Sequence, residues 1–166
     1  MTKKNKLILI IIVIIIGGFI MSELIKLMSG DIPSQKQVIK TYNENKETID
    51  YITSYIFNFE KEDNEIFFIK SNSIEIRDNH GKVKRKIEFS DEFENHIENL
   101  FNHSDIVLIY DSRENDNYIV FEFECKHSFI FNGIVITENG DEPSWKFIKL
   151  QNSKRISDGV YYFEGE

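Results

Sequence analysis

The chain has 166 residues, a net charge of −8, one cysteine, 14 Phe and 7 Tyr, and no alanine at all. That length fits one domain, and the composition excludes a disulfide framework, a collagen repeat and a mostly disordered chain. The 28 Ile and 15 Asn beside the missing alanine are the mark of a low-GC genome's codons, not of a function.

The charge is unevenly spread. Residues 1–30 carry Lys3, Lys4, Lys6 and Lys26 against Glu23, a net of +3, which leaves 16 basic and 27 acidic side chains beyond residue 30, a net of −11. A basic, apolar head is therefore joined to an acidic body. Every residue from Leu7 to Ile16 is Leu, Ile or Val, and Gly17 to Ser22 extends the uncharged run. As a helix continued to Met28 the segment would measure about 33 Å, enough for a hydrocarbon core of roughly 30 Å. Its ten leading aliphatic residues favour insertion by roughly 3–6 kcal/mol. Leu7, Ile12, Ile16, Phe19 and Ile20 would face lipid. Lys3, Lys4 and Lys6 are the topology signal, placing the N-terminus in the cytoplasm. Ile20-Met21-Ser22 and Met28-Ser29-Gly30 fit the small-residue pattern of a signal cleavage site poorly, so a retained anchor is expected rather than a cleaved leader. The expected organisation is a cytoplasmic tail at 1–6, a transmembrane signal-anchor at 7–28, a linker at 29–33 and an extracytoplasmic domain at 34–166.

Ser34 with Gln37 has capping-box spacing and predicts a helix to about Phe57. Its apolar stripe is Val38, Tyr42, Asn45, Ile49, Ile52 and Ile56. This heptad-like seam predicts packing on the domain's own sheet, with a homodimer through the 34–57 helix as the alternative. Beyond Asn64 the hydrophobic period becomes two, and strands are predicted at Glu65–Lys70, Ser73–Arg77 and Lys82–Phe89 around a turn at Asp78-Asn79-His80-Gly81. A four-residue loop there sets Arg77 opposite Lys82, Glu75 opposite Lys84 and Ile76 opposite Val83. Ser90 caps a helix over Asp91–Asn102. Strands follow at Ile106–Tyr110, Tyr118–Cys125, Phe129–Thr137, Trp145–Leu150 and Val160–Glu164. The fold class is α+β: an N-terminal transmembrane helix, then a single domain with an antiparallel sheet and two helices on one face.

Little in this pattern carries chemistry. His96 and His103 lie about 10 Å apart along their helix, too far to share a metal. His80 and His127 fall in loops. The acidic stretches 60–65, 111–116 and 138–142 lack the alternating ligands of a calcium loop and are expected to be solvated turns. Cys125 is expected in the core, on the face of Phe121 and Phe123. With no phosphate loop, dinucleotide fingerprint, CxxC or HExxH, neither cofactor nor metal site is expected. Lys82, Lys84 and Lys86 form the one basic run of the body and are the candidate interaction strip, against the plainer role of edge-strand lysines that block aggregation.

The tail from Gly133 through Trp145 to Ile156-Ser157-Asp158-Gly159-Val160-Tyr161-Tyr162-Phe163-Glu164 resembles the ends of small membrane-anchored, immunity-like or envelope accessory proteins of low-GC Gram-positive bacteria. Val160 stands where those proteins have Trp. The resemblance implies an anchored accessory function and names no site.

The expected function is thus a non-enzymatic, membrane-anchored binding protein. Its partners are the lipid bilayer and a protein, for which the acidic surface favours a basic one. The net of −11 argues against nucleic acid. The competing class is a small-ligand receptor or carboxylate hydrolase with a pocket between sheet and helices, for example Glu122 or Glu124 with Glu138.

Overall fold

The computed structural model describes residues 17–21, 32–62, 65–78, 80–85, 88–112, 117–124, 131–145 and 150–165. Two helices, α1 (Gln35–Glu44) and α2 (Lys46–Asn58), precede strands β1 (Glu65–Lys70), β2 (Ser73–Asp78) and β3 (Val83–Arg85). Helix α3 (Asp91–His103) and strands β4 (Ile106–Ser112), β5 (Tyr118–Phe123), β6 (Phe131–Thr137), β7 (Leu150–Ser157) and β8 (Val160–Gly165) complete the chain. All eight strands form one antiparallel sheet in the order β3-β2-β1-β4-β5-β6-β8-β7. The chain is α+β, as its periodicity predicts.

The helices cover one face. Val38 and Tyr42 from α1, Ile49, Ile52 and Ile56 from α2, and Phe93, Ile97 and Leu100 from α3 pack with Phe67, Ile69, Ile109, Ile119, Phe121 and Ile134 of the sheet. Each such side chain, fully buried, contributes about 1.5–3 kcal/mol of transfer free energy. Both predicted caps are present: Ser34 Oγ accepts from Gln37 N at 3.4 Å while Ser34 N donates to Gln37 Oε1 at 2.8 Å, and Ser90 Oγ accepts from Phe93 N at 3.2 Å.

The structure corrects the expected elements in four places. The single helix to Phe57 is two. Asn45 leaves helical geometry (φ −112°, ψ 15°), and its side-chain amide donates to Thr41 O at 2.9 Å, closing α1. A short polar side chain that bonds nearby backbone competes with helix continuation. The stripe on both sides of the break is nevertheless buried in the domain's own core, so Asn45 acts as a cap here rather than as a position in a continuous seam.

The β2–β3 register differs too. Asp78 joins the strand, its N–H donating to Lys82 O at 2.9 Å, and its Oδ1 accepts from His80 N at 3.0 Å and Lys82 N at 2.9 Å. The loop therefore holds three residues instead of four. Gly81 at φ +79° supplies the left-handed residue such a loop requires. Arg77 then lies opposite Val83, and a bulge brings Ile76 opposite Arg85.

The strand expected at Trp145–Leu150 begins only at Leu150 and runs to Ser157. Trp145 precedes it in irregular backbone at φ 53°. Among the described strands β7 hydrogen-bonds β8 alone, and it is exposed at most positions, so it carries no alternating apolar signal. Gly159 (φ +66°) turns the chain between them.

Finally, two acidic side chains expected in solvated turns are buried. Asp111 (3% exposed) forms an ion pair with the buried Lys61 and accepts from Phe67 N at 2.5 Å. Glu65 (3% exposed) is gripped by Arg85, Nε to Oε1 at 3.1 Å and Nη2 to Oε2 at 2.7 Å. Burial alone would push the Glu65 carboxyl upward. The Arg85 hydrogen bonds, the Glu62 N–H and the charges of Arg85 and Lys84 outweigh it and hold the carboxyl below its ordinary range.

Residues 17–21 are helical, with Phe19 and Ile20 exposed. No helix of the described residues is long and apolar enough to cross a membrane. Leu7, Ile12, Ile16, Lys3, Lys4 and Lys6 lie outside the described residues, as do Lys86, Cys125 and His127.

Candidate functional site

Strand alternation sends residues i and i+2 to the same face. In β1 it directs Phe67 and Ile69 to the helices, and Ile66 and Phe68 to the opposite, open face. The ladder aligns Glu75, Phe68, Tyr110, Val120, Val135, Tyr161 and Arg155 in one row across that face, strand by strand. A second row holds Leu108, Glu122, Gly133, Phe163 and Ser153. The face is apolar at many of these positions although no helix of the described residues covers it.

Its two halves differ. Toward β6 and β8 the face closes on itself, where Tyr118, Val120, Val135 and Phe163 form a second small core with Tyr110, Phe131, Trp145 and Leu150 against it. Gly133 permits this closure: a Cβ there would lie 2.2 Å from Phe121 O and 2.9 Å from the Phe163 ring. Toward β1 and β4 the face opens into a groove of about 380 Å³ lined by Ile66, Phe68, Leu108, Tyr110, Phe131 and Glu122, with Arg77, Asp78 and Gly81 at its border.

The polar groups of the groove are unequally satisfied. Arg77 lies flat on Phe68, its guanidinium carbon 3.8 Å from the ring centroid, and donates to Glu75 Oε2 at 2.8 and 2.6 Å. Asp78 is held by the backbone N–H groups of His80 and Lys82, which keep its carboxyl below the ordinary range. Glu122 is half-buried, and no described residue makes a hydrogen bond or ion pair with its carboxyl. Burial accordingly pushes it above the ordinary range. The hydroxyl of Tyr110, a neighbour on the same face, is raised as well, first by burial and then by the Glu122 charge. The groove is thus an apolar channel with one unsatisfied acid.

The sequence-derived candidates divide around this site. Glu122 faces the groove, on the side of the sheet away from the helices, so the pocket is not between sheet and helices. Glu124 is exposed beyond β5, and Glu138 is exposed beyond β6, bonded to Asn117. Glu138 follows Thr137, which pairs with Tyr118, whereas Glu122 pairs with Gly133. Five residue steps along a strand separate the two acids by roughly 17 Å, so they do not converge. Lys82 and Lys84 are exposed at the short edge strand β3, with the bulge between them and β2 breaking the regular alternation. His96 of α3 stacks on Tyr51 of α2 at 4.1 Å, a packing contact between the two helices, and His103 Nδ1 lies 2.9 Å from Asn99 O within its own helix. Among the described residues no three His, Cys, Asp or Glu side chains are placed to hold a metal ion.

Composition and periodicity missed Ile66, Phe68, Leu108, Tyr110 and Phe131 as a site. The available signal was their pattern: β1 reads Glu-Ile-Phe-Phe-Ile-Lys, apolar on both faces, although predicted helices suffice for one side only. Comparison with known proteins finds no matching family, no similar curated protein and no similar solved structure.

Proposed function

We propose that the chain is a single-pass, membrane-anchored extracytoplasmic binding protein of the envelope accessory or immunity type, and that it works without catalysis. Residues 7–28 serve as the anchor, with Lys3, Lys4 and Lys6 holding the N-terminus in the cytoplasm. The face of the sheet opposite α1–α3 serves as the binding surface. The observation that carries this reading is the groove: an apolar channel lined by half-buried Phe68, Leu108 and Tyr110 on a face that no described helix covers. Exposed apolar surface rimmed by polar groups marks interaction sites. The two carboxyls proposed for a hydrolase are apart, and Glu122 alone enters the channel.

Two measurements test the reading. A reporter fused after Glu166 is expected to be active outside the cytoplasm, and activity confined to the cytoplasm overturns the topology. A photo-crosslinking side chain at Leu108 is expected to trap a partner that the same group at Asn58, on the exposed end of α2, does not trap. Equal capture at both positions removes the groove as the binding surface. A small-ligand receptor is the second reading, favoured by the groove's volume, which lies in the range of small-molecule pockets. A bound small molecule with no trapped protein would establish it.

A further inference from the structure

Resting on the reading of the open face as a binding surface, we propose that the groove receives a basic side chain of a protein partner, its alkyl stem lying across Phe68 and Leu108 and its cation against Glu122.

Charge complementarity within the groove points to that occupant. Three charged side chains reach it, and two are already answered: Arg77 by Glu75, and Asp78 by two backbone N–H groups. Glu122 alone has neither among the described residues. A half-buried carboxylate without a partner is unfavourable, and a cation brought beside it restores the lost solvation. A neutral apolar ligand leaves that cost in place, and an anionic one increases it.

The walls set the rest of the ligand's shape. Ile66, Phe68, Leu108 and Phe131 offer apolar surface along the channel, which suits an unbranched stem that buries its methylenes and carries charge at the tip. A volume of about 380 Å³ admits one long side chain with part of its neighbours and is too small for a helix. The long-range field agrees, because the 16 basic and 27 acidic side chains beyond residue 30 attract a basic partner.

The test uses the full chain in lipid nanodiscs and follows the NMR resonances of Phe68, Leu108 and Tyr110. The probes are n-hexylammonium, n-hexanol, n-hexanoate and the capped peptide acetyl-Leu-Lys-Leu-amide. Hexylammonium is expected to bind about tenfold more tightly than hexanol, the size of effect a charge-assisted contact supplies, with hexanoate weakest. The peptide should bind more tightly than hexylammonium, and Glu122→Gln should bring hexylammonium down to the hexanol value. The probe series on the unaltered chain stands even if that variant folds poorly.

Equal binding of hexanol and hexylammonium, or preference for hexanoate, overturns the proposal and leaves the open face as an apolar binding surface. Hexylammonium binding without peptide binding makes the site one for a free amine and overturns the protein source. No probe moving a groove resonance overturns both the proposal and the reading beneath it.

Discussion

The two faces of the sheet are built from the same strands, and at the β1–β4 end they treat side chains in opposite ways. On the helix side, Phe67, Ile69, Phe121 and Ile134 are fully buried, and the acids there have found cations: Asp111 meets Lys61 and Glu65 meets Arg85. On the open side, Phe68, Leu108 and Tyr110 are only half-buried, and Glu122 meets no cation among the described residues. A protein that needs a stable scaffold and a receptive surface can divide them between the faces of one sheet. Arg77 and Asp78 at the groove are satisfied as well, so it is the one unanswered acid there, Glu122, that marks the surface left for a partner.

The sharpest way to break this comparison is to cut one aromatic from each face. Phe121→Ala removes a fully buried ring from the helix side and is expected to cost about 3–5 kcal/mol in urea unfolding. Phe68→Ala on the open side should cost under about 1.5 kcal/mol, because the ring is half-buried already. Comparable losses would show that the open face is structural core. Asp111→Ala leaves Lys61 buried without its carboxylate and Phe67 N–H without its acceptor, and about 3 kcal/mol of stability should go with it. A smaller effect, about 1 kcal/mol, is expected for Ser90→Ala, which uncaps α3 and loosens the helix layer alone. That loss should leave the groove resonances unmoved.

The two glutamates sharpen the contrast through pH. Glu65 is held below its unfolded value of about 4.3, so its contribution is complete above that pH and fades as pH falls through the folded value. Glu65→Gln should therefore destabilise at pH 7 and approach the wild type in acid. Glu122 is raised by burial, so the folded state holds its proton longer and stability falls as pH rises through and beyond 4.3. Glu122→Gln should stabilise the chain at pH 7, with the gain disappearing below about pH 4. Denaturation midpoints of both variants between pH 3 and pH 7 measure these opposite slopes. The same sign for both would dissolve the distinction between the faces.

The sequence predicted best where one local signal agreed with one burial demand. Ser34 and Ser90 cap helices because their hydroxyls meet N–H groups a fixed distance along the chain. The strands Tyr118–Phe123 and Val160–Gly165 are apolar enough that few other placements could hide them. Prediction failed where the deciding contact was distant or the signal was polar. Strand β7 reads Leu-Gln-Asn-Ser-Lys-Arg-Ile-Ser, and only hydrogen bonding to β8 makes it a strand. The Asp158-Gly159 pair was the usable clue, since it predicts a reversal and hence a strand before it. Asp111 and Glu65 read as turn acids because their partners, Lys61 and Arg85, lie 50 and 20 positions away. Of the site, Glu122 was visible as an acid inside an apolar run, while the walls around it were not.

Sequence alone determined the periodicities, the caps, the class α+β and the division into a basic head and an acidic body, all of which follow from neighbours within a few residues. It could not say which apolar face of a two-faced strand the helices would cover. That choice is made when Val38, Ile49, Ile56 and Phe93 dock as one layer, because three helices have surface enough for one side of an eight-stranded sheet. Phe68, Leu108, Tyr110 and Glu122 became a groove because the helix layer formed on the other face.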